Sequence, residues 1–105
     1  MKLGFIGTGK IASSVITGIC KSSIKYNKIF ISSRNEKISK ELKKRFKKII
    51  IERDNQQIIN KSNWVFLAVT PSVGEKMIRN LNFKSNQTII SFISTITSSR
   101  LKKMI

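Results

Sequence analysis

Three small residues stand in a Gly-x-Gly-x-x-Ala spacing near one end of the chain: Gly7, Gly9 and Ala12, within Leu3-Gly-Phe-Ile-Gly-Thr-Gly-Lys-Ile-Ala12. That spacing suits the grip of a pyrophosphate. Gly7 would let the chain turn sharply off a strand, and Gly9 would let the backbone come close to the anion. Ala12 would let the following helix pack tightly on a sheet. The anion would lie at the helix N-terminus, where unpaired N–H groups and the positive end of the dipole favour negative charge. A glycine-rich surface turn can carry the same bare pattern, so context has to decide. The motif follows a candidate strand, Leu3 to Ile6. It opens a stretch in which Ile11, Ala12, Val15, Ile16, Ile19 and Cys20 make one apolar helical face. Strand, turn and helix in that order favour a dinucleotide site.

A second group of residues bears on which dinucleotide. In NAD-binding domains an Asp or Glu about 20 residues past the glycines accepts from the ribose 2′-hydroxyl. Here Ser32-Ser33-Arg34-Asn35 occupies that place. An acid would repel a 2′-phosphate, whereas a hydroxyl and a guanidinium bind one through charge-assisted hydrogen bonds. Lys37 can add a third contact, while Glu36 is expected to face the start of the next helix. An ordinary polar loop is the alternative. The types present favour NADP over NAD.

Other chemistry is sparse. Cys20 is the one cysteine and there is no histidine, which excludes a disulfide within the chain and the usual zinc ligand sets. No metal site is expected. Cys20 reads as a structural thiol on the first helix, with no imidazole to activate it. Tyr26, the one tyrosine, falls in the loop before the second strand and reads as a packing residue. No catalytic residue can be named from the sequence.

The elements that must position these groups alternate. Lys28 to Ser32 reads as the second strand, and Ile38, Leu42 and Phe46 mark the apolar stripe of a basic helix from Glu36 to Lys48. Ile49 to Ile51 is a very short third strand. Asp54 or Asn55 caps a brief helix through Ile58 and Ile59. The apolar run Asn63 to Val69 suits a strand covered on both faces. Pro71 ends it, and Ser72 begins a helix carrying Val73, Met77, Ile78 and Leu81. Gln87 to Ile93 is the fifth strand, and Thr97 or Ser98 caps a last segment. This alternation predicts an α/β fold, a Rossmann-like doubly wound parallel sheet of five strands in order 3-2-1-4-5. The ligand crevice belongs at the carboxyl ends of strands one and four.

The 105 residues are read as a single domain, 1–105, with enough apolar content for one core. No apolar run approaches the ~20 residues of a membrane span, and the early glycines interrupt any signal-peptide core. A cytoplasmic protein without membrane association is expected. The net charge of +16 suggests nucleic acid. Yet the basic residues are dispersed and lack interleaved aromatics, and the joint richness in Ile, Lys and Asn fits a compositional bias. A nucleic-acid partner is therefore ranked last.

Met1 to Ala12, Ser32 to Asn35, Asp54-Asn55, Phe66-Leu-Ala-Val-Thr-Pro71 and Ile90 to Thr97 occur in an order that resembles the N-terminal cofactor domain of pyrroline-5-carboxylate reductases. The chain is also similar to deazaflavin-dependent NADP reductases. The resemblance implies that Gly7, Thr8, Gly9, Lys10 and Ile11 surround the pyrophosphate, with Ala12 packing beneath. It implies that Ser33 and Arg34 hold the adenosine 2′-phosphate and that Asn55 lies near the adenosine ribose. Ala68, Val69 and Pro71 would flank the nicotinamide ribose. Lys10, Thr70 and Ser94-Thr95 depart from the family pattern, where Asn, Lys and Ala-Gly are usual.

The implied activity is hydride transfer from NADPH to a small-molecule imine, 1-pyrroline-5-carboxylate, giving proline. Family members continue into a helical C-terminal domain that supplies substrate pocket and dimer interface, so the chain reads as a partial one lacking that domain. An exposed fifth strand then implies a homo-oligomer or marginal stability. The rival readings are a stand-alone or inactive dinucleotide-binding module and a deazaflavin-dependent relative.

Overall fold

Apolar runs of strand length and amphipathic helices alternate along the chain: β1 (Lys2–Ile6), α1 (Lys10–Lys21), β2 (Lys28–Ser32), α2 (Glu36–Arg45), β3 (Ile49–Glu52), α3 (Asn55–Lys61), β4 (Trp64–Leu67), α4 (Pro71–Arg79) and β5 (Thr88–Ser91). These elements come from a computed structural model that describes residues 1–7, 9–33, 35–69 and 71–92. The expectations placed on Thr8, Arg34, Thr70, Ile93 and the segment capped by Thr97 or Ser98 lie outside the described residues.

Among the described residues the sheet has five strands in the order β3-β2-β1-β4-β5, and each neighbouring pair is parallel. This is the predicted doubly wound, Rossmann-like order. Its strands are covered on both faces, which is why they read as unbroken apolar runs rather than alternating ones. On one face Leu3, Phe5, Ile29, Ile31 and Phe66 pack with Ala12 and Ile16 of α1 and Leu42 of α2. On the other, Ile6, Phe30, Val65 and Leu67 pack with Ile58 and Ile59 of α3 and Ile78 of α4. At Gly4 the approach is closer than any side chain allows. A methyl group there would lie 2.2 Å from Ser62 Oγ and 2.7 Å from Ile58 Cγ2, so α3 rests on the backbone of β1.

Element ends differ from the sequence reading in instructive ways. β4 spans Trp64–Leu67, shorter than the apolar run. Asn63 instead ties the amino edge: its N–H donates to the Lys2 carbonyl at 2.8 Å, and its Oδ1 accepts from the Lys2 N–H at 2.8 Å. β3 gains Glu52, β5 stops at Ser91, and α2 stops at Arg45 with Phe46 as its C-cap. α4 begins at Pro71 rather than Ser72. A proline has no N–H to leave unpaired in a first turn, and its fixed φ suits that position. Asp54, not Asn55, caps α3, its side chain accepting from the Gln56 N–H at 3.0 Å. Ile11 leaves the apolar stripe and is 59% exposed, because it lies about 100° around the helix from Ala12, which with Ile16 faces the core.

Candidate functional site

The chain leaves β1 through Gly7, whose φ of +94° is a conformation that side chains strain to adopt. A methyl group at Gly7 would also lie 2.4 Å from the Ala68 carbonyl oxygen and 2.6 Å from Val69 Cγ1. The turn after β1 is thus pressed against the end of β4, and the Ala68 N–H donates to the Ile6 carbonyl at 2.9 Å. Gly9 differs. Its backbone is extended, at φ −94° and ψ −167°, and a methyl group built on it meets nothing within 4 Å. The fold does not require glycine at that position.

Gly9 is also the N-cap of α1, so no side chain there accepts from the helix's first N–H groups, and no acid stands in the first turn. The other helix starts with described caps are closed. Asn35 accepts from the Ile38 N–H at 3.3 Å at α2, and Asp54 closes α3. Four N–H groups at a helix start lack intrahelical partners, and at α1 they face a space kept open by Gly9. Lys10 and Ile11 are exposed beside it, while Ala12 is fully buried beneath. Such a helix start offers donors and a positive dipole end suited to an anion.

The neighbouring carboxyl ends complete the edge. Phe5 pairs with Ile31 and Ile6 with Leu67; continuing those registers sets Gly7 between Ser33 and Ala68. Ser33 is half-buried, and its loop is pinned by Ser39, whose hydroxyl donates to the Ser32 carbonyl at 2.6 Å. Lys37 is exposed on the first turn of α2. Asn55 opens α3 and donates through Nδ2 to Met77 Sδ at 3.3 Å, which ties α3 to α4 and leaves its Oδ1 as an acceptor. Pro71 opens α4. The structure therefore brings Gly7, Gly9, Lys10, Ile11, Ala12, Ser33, Lys37, Asn55, Ala68, Val69 and Pro71 to one edge of the sheet. Thr8 and Arg34 are outside the described residues.

Sequence reasoning passed over Arg53. The register Ser32 to Glu52 places this exposed arginine beside Ser33, one residue past the end of β3. Its signal was available as a cation directly following a strand. Of the two acids that flank it in sequence, Glu52 is drawn away by Lys61, with Nζ and Oε2 2.7 Å apart, and Asp54 caps α3.

Tyr26 and Cys20 lie elsewhere. Tyr26 packs against the core beneath α1, and its hydroxyl is pushed up to about 12, first by burial and then by hydrogen bonding and charge at Cys20. Neither stands at the start of α1. Among the described residues there is no cluster of His, Cys, Asp or Glu fit to hold a metal, and no helix is long and apolar enough to cross a membrane.

Residues 2–95 match the model of the family described as NADP oxidoreductase, coenzyme F420-dependent. The chain belongs to that family. No curated protein sequence matches it. Among solved structures, the chain is similar to 1-pyrroline-5-carboxylate reductase from Streptococcus pyogenes, with 31% identity and a TM-score of 0.78 over 99% of its length. It also resembles the pyrroline carboxylate reductase of Plasmodium falciparum, solved with NADP bound, at 21% identity and a TM-score of 0.82 over the whole chain. A diketoreductase shares the fold at 16% identity and a TM-score of 0.71. The chain spans 38% of each pyrroline carboxylate reductase and 45% of the diketoreductase. It is an NADP oxidoreductase domain.

Proposed function

We propose that the chain is the NADPH-holding part of a reductase that delivers hydride to an imine carbon, with 1-pyrroline-5-carboxylate as substrate. The observation that carries the cofactor site is Gly9, a glycine that neither the backbone nor its surroundings demand, set at an uncapped helix start. In this reading Gly7, Thr8, Gly9, Lys10 and Ile11 enclose the pyrophosphate over Ala12. Ser33, Arg34 and Lys37 hold the adenosine 2′-phosphate, with Arg53 adding positive charge at the same edge. Asn55 lies near the adenosine ribose, and Ala68, Val69 and Pro71 flank the nicotinamide ribose. When bound, the nicotinamide supplies the hydride. The chain's own part is to fix its position and exclude misalignment. The substrate reading is supported by the 31% identity to the streptococcal 1-pyrroline-5-carboxylate reductase.

Titrating NADPH and NADH against Trp64 fluorescence tests the 2′-phosphate assignment. NADPH is expected to bind more tightly, and Arg34→Ala to remove most of the difference. Equal affinities in the unmodified protein would overturn it. A second reading rests on the family's description, which names coenzyme F420: hydride exchange between a deazaflavin and NADP. Oxidation of NADPH that depends on 1-pyrroline-5-carboxylate supports the first reading, and reduction of NADP by reduced F420 the second. Nucleotide binding with neither turnover would leave the chain a dinucleotide-binding module.

A further inference from the structure

A cavity of about 680 Å³ opens at the opposite edge of the sheet, where the strands begin. Four lysines reach its rim from separate elements: Lys2 from the start of β1, Lys28 from the start of β2, Lys61 from the end of α3 and Lys84 from the connection into β5. Lys2 and Lys28 share the strand face of Phe30, the face covered by α3, since alternate strand residues point the same way. Among the described residues that line the cavity there is no Asp or Glu. Lys61 is paired with Glu52, and Lys84 donates to the Asn60 carbonyl at 3.0 Å. Lys2 and Lys28 form no ion pair among the described residues.

This convergence is not the outer face of a helix. Solvated lysines on α2 follow from helical amphipathicity, but these four are gathered by the sheet register and lie across a concave surface. Like charges facing one another across a cleft repel, and among the described residues only Glu52, held by Lys61, offsets that cost. Low-dielectric walls lined by one sign of charge focus the field and raise the local concentration of counter-ions. The polar lining is also built. Gln87 Nε2 donates to the Ile59 and Ser62 carbonyls at 2.5 and 2.9 Å, which occupies two carbonyl acceptors at the end of α3. Asn63 spends its Oδ1 on the Lys2 N–H, leaving its NH₂ as a donor.

We propose that this cavity is a second anion site, separate from the nucleotide cradle, that takes a compact polyphosphate chain. Its volume is that of a small-molecule site. Its one aromatic lining residue, Phe30, is a buried 5% exposed floor rather than a platform for stacking bases, so an extended nucleic-acid strand fits less well.

Calorimetric titration with inorganic triphosphate and with ATP, at about 150 mM salt to screen exposed charges, tests it. One saturable site is expected. Equal affinity for the two ligands assigns the site to free polyphosphate, and at least tenfold preference for ATP assigns it to a nucleotide's phosphate chain. The pair Lys2→Gln and Lys28→Gln, neither held in an ion pair, should weaken binding at least tenfold and leave NADPH affinity within twofold. A control pair on the outer face of α2, Lys40→Gln and Lys44→Gln, should leave triphosphate binding unchanged. Absence of saturable binding at millimolar ligand overturns the proposal. Equal weakening by the control pair, displacement of triphosphate by stoichiometric NADPH, or its displacement by single-stranded RNA at lower concentration would each do the same.

Discussion

Gly7 and Gly9 are one residue type under two constraints. A side chain at Gly7 meets both a left-handed backbone and the Ala68 carbonyl 2.4 Å away, so Gly7→Ala should destabilise the fold by more than ~1 kcal/mol. Gly9→Ala enters open space in an ordinary conformation, and its stability should stay within about 1 kcal/mol of the parent. Nucleotide affinity should nevertheless fall at least tenfold, because the added methyl occupies the approach of the anion. Denaturant melts with parallel NADPH titrations separate the two variants, and unchanged affinity in Gly9→Ala would mean the cradle is elsewhere. The sequence spacing named both glycines, but only the fold distinguishes one the chain requires from one it does not. Tyr26 offers a second test. Burial first, then its contact with Cys20, raises its hydroxyl from 10 to about 12. Because the folded value lies above the unfolded one, this stabilising contribution is whole below pH 10 and is lost as pH rises toward 12. The chain's single tyrosine makes an ultraviolet titration unambiguous. A midpoint near 12 is expected, falling only partway in Cys20→Ala because burial is the larger cause. A midpoint near 10 in the parent would show that the ring is not shielded.

At the scale of elements, three rings from adjacent strands lie in a row. Phe5 of β1 and Phe66 of β4 stack with centroids 4.4 Å apart and planes 4° apart, and Phe66 is 6.2 Å from Phe92, just past β5. The middle ring is 6% exposed and links three strands with the core under α1. Phe66→Ala should cost about 3–5 kcal/mol, measured by urea denaturation. The half-buried Phe92 should cost less on the same change, and the reverse ranking would show that β4 is not the hub of this face. The alternation of elements was legible because strands covered on both faces become continuous apolar runs and helices keep a separate period. Their ends were less legible. Asn63, Ala68 and Phe92 fall within the segments read as strands, yet strand limits are set by which carbonyls a neighbouring strand presents. Ile11 differs for another reason: periodicity marks a broad apolar stripe on α1, but not how much of its width the sheet covers, and Ile11 lies at the edge that Ala12 and Ile16 leave outside the core.

For the whole molecule, +16 of net charge on 105 residues means that folding brings cations together. Self-repulsion of this kind destabilises a compact state and is screened by salt. The melting temperature should therefore rise between about 10 and 150 mM sodium chloride, and a flat or falling response would show that local pairing already offsets the charge. Composition revealed the excess of charge but not its geography, since Lys2, Lys28, Lys61 and Lys84 meet only through the sheet order. That order also sets a schedule. β1 lies at the centre of the sheet, between β2 and β4, yet Leu3 and its partner Trp64 are about sixty residues apart along the chain. During synthesis at about 5–20 residues per second, one side of β1 waits on the order of 3–12 s for β4 to leave the ribosome. For that interval Leu3, Phe5 and Ile6 belong to an open strand, so the nascent chain is most exposed to aggregation and chaperone capture before its fourth strand emerges.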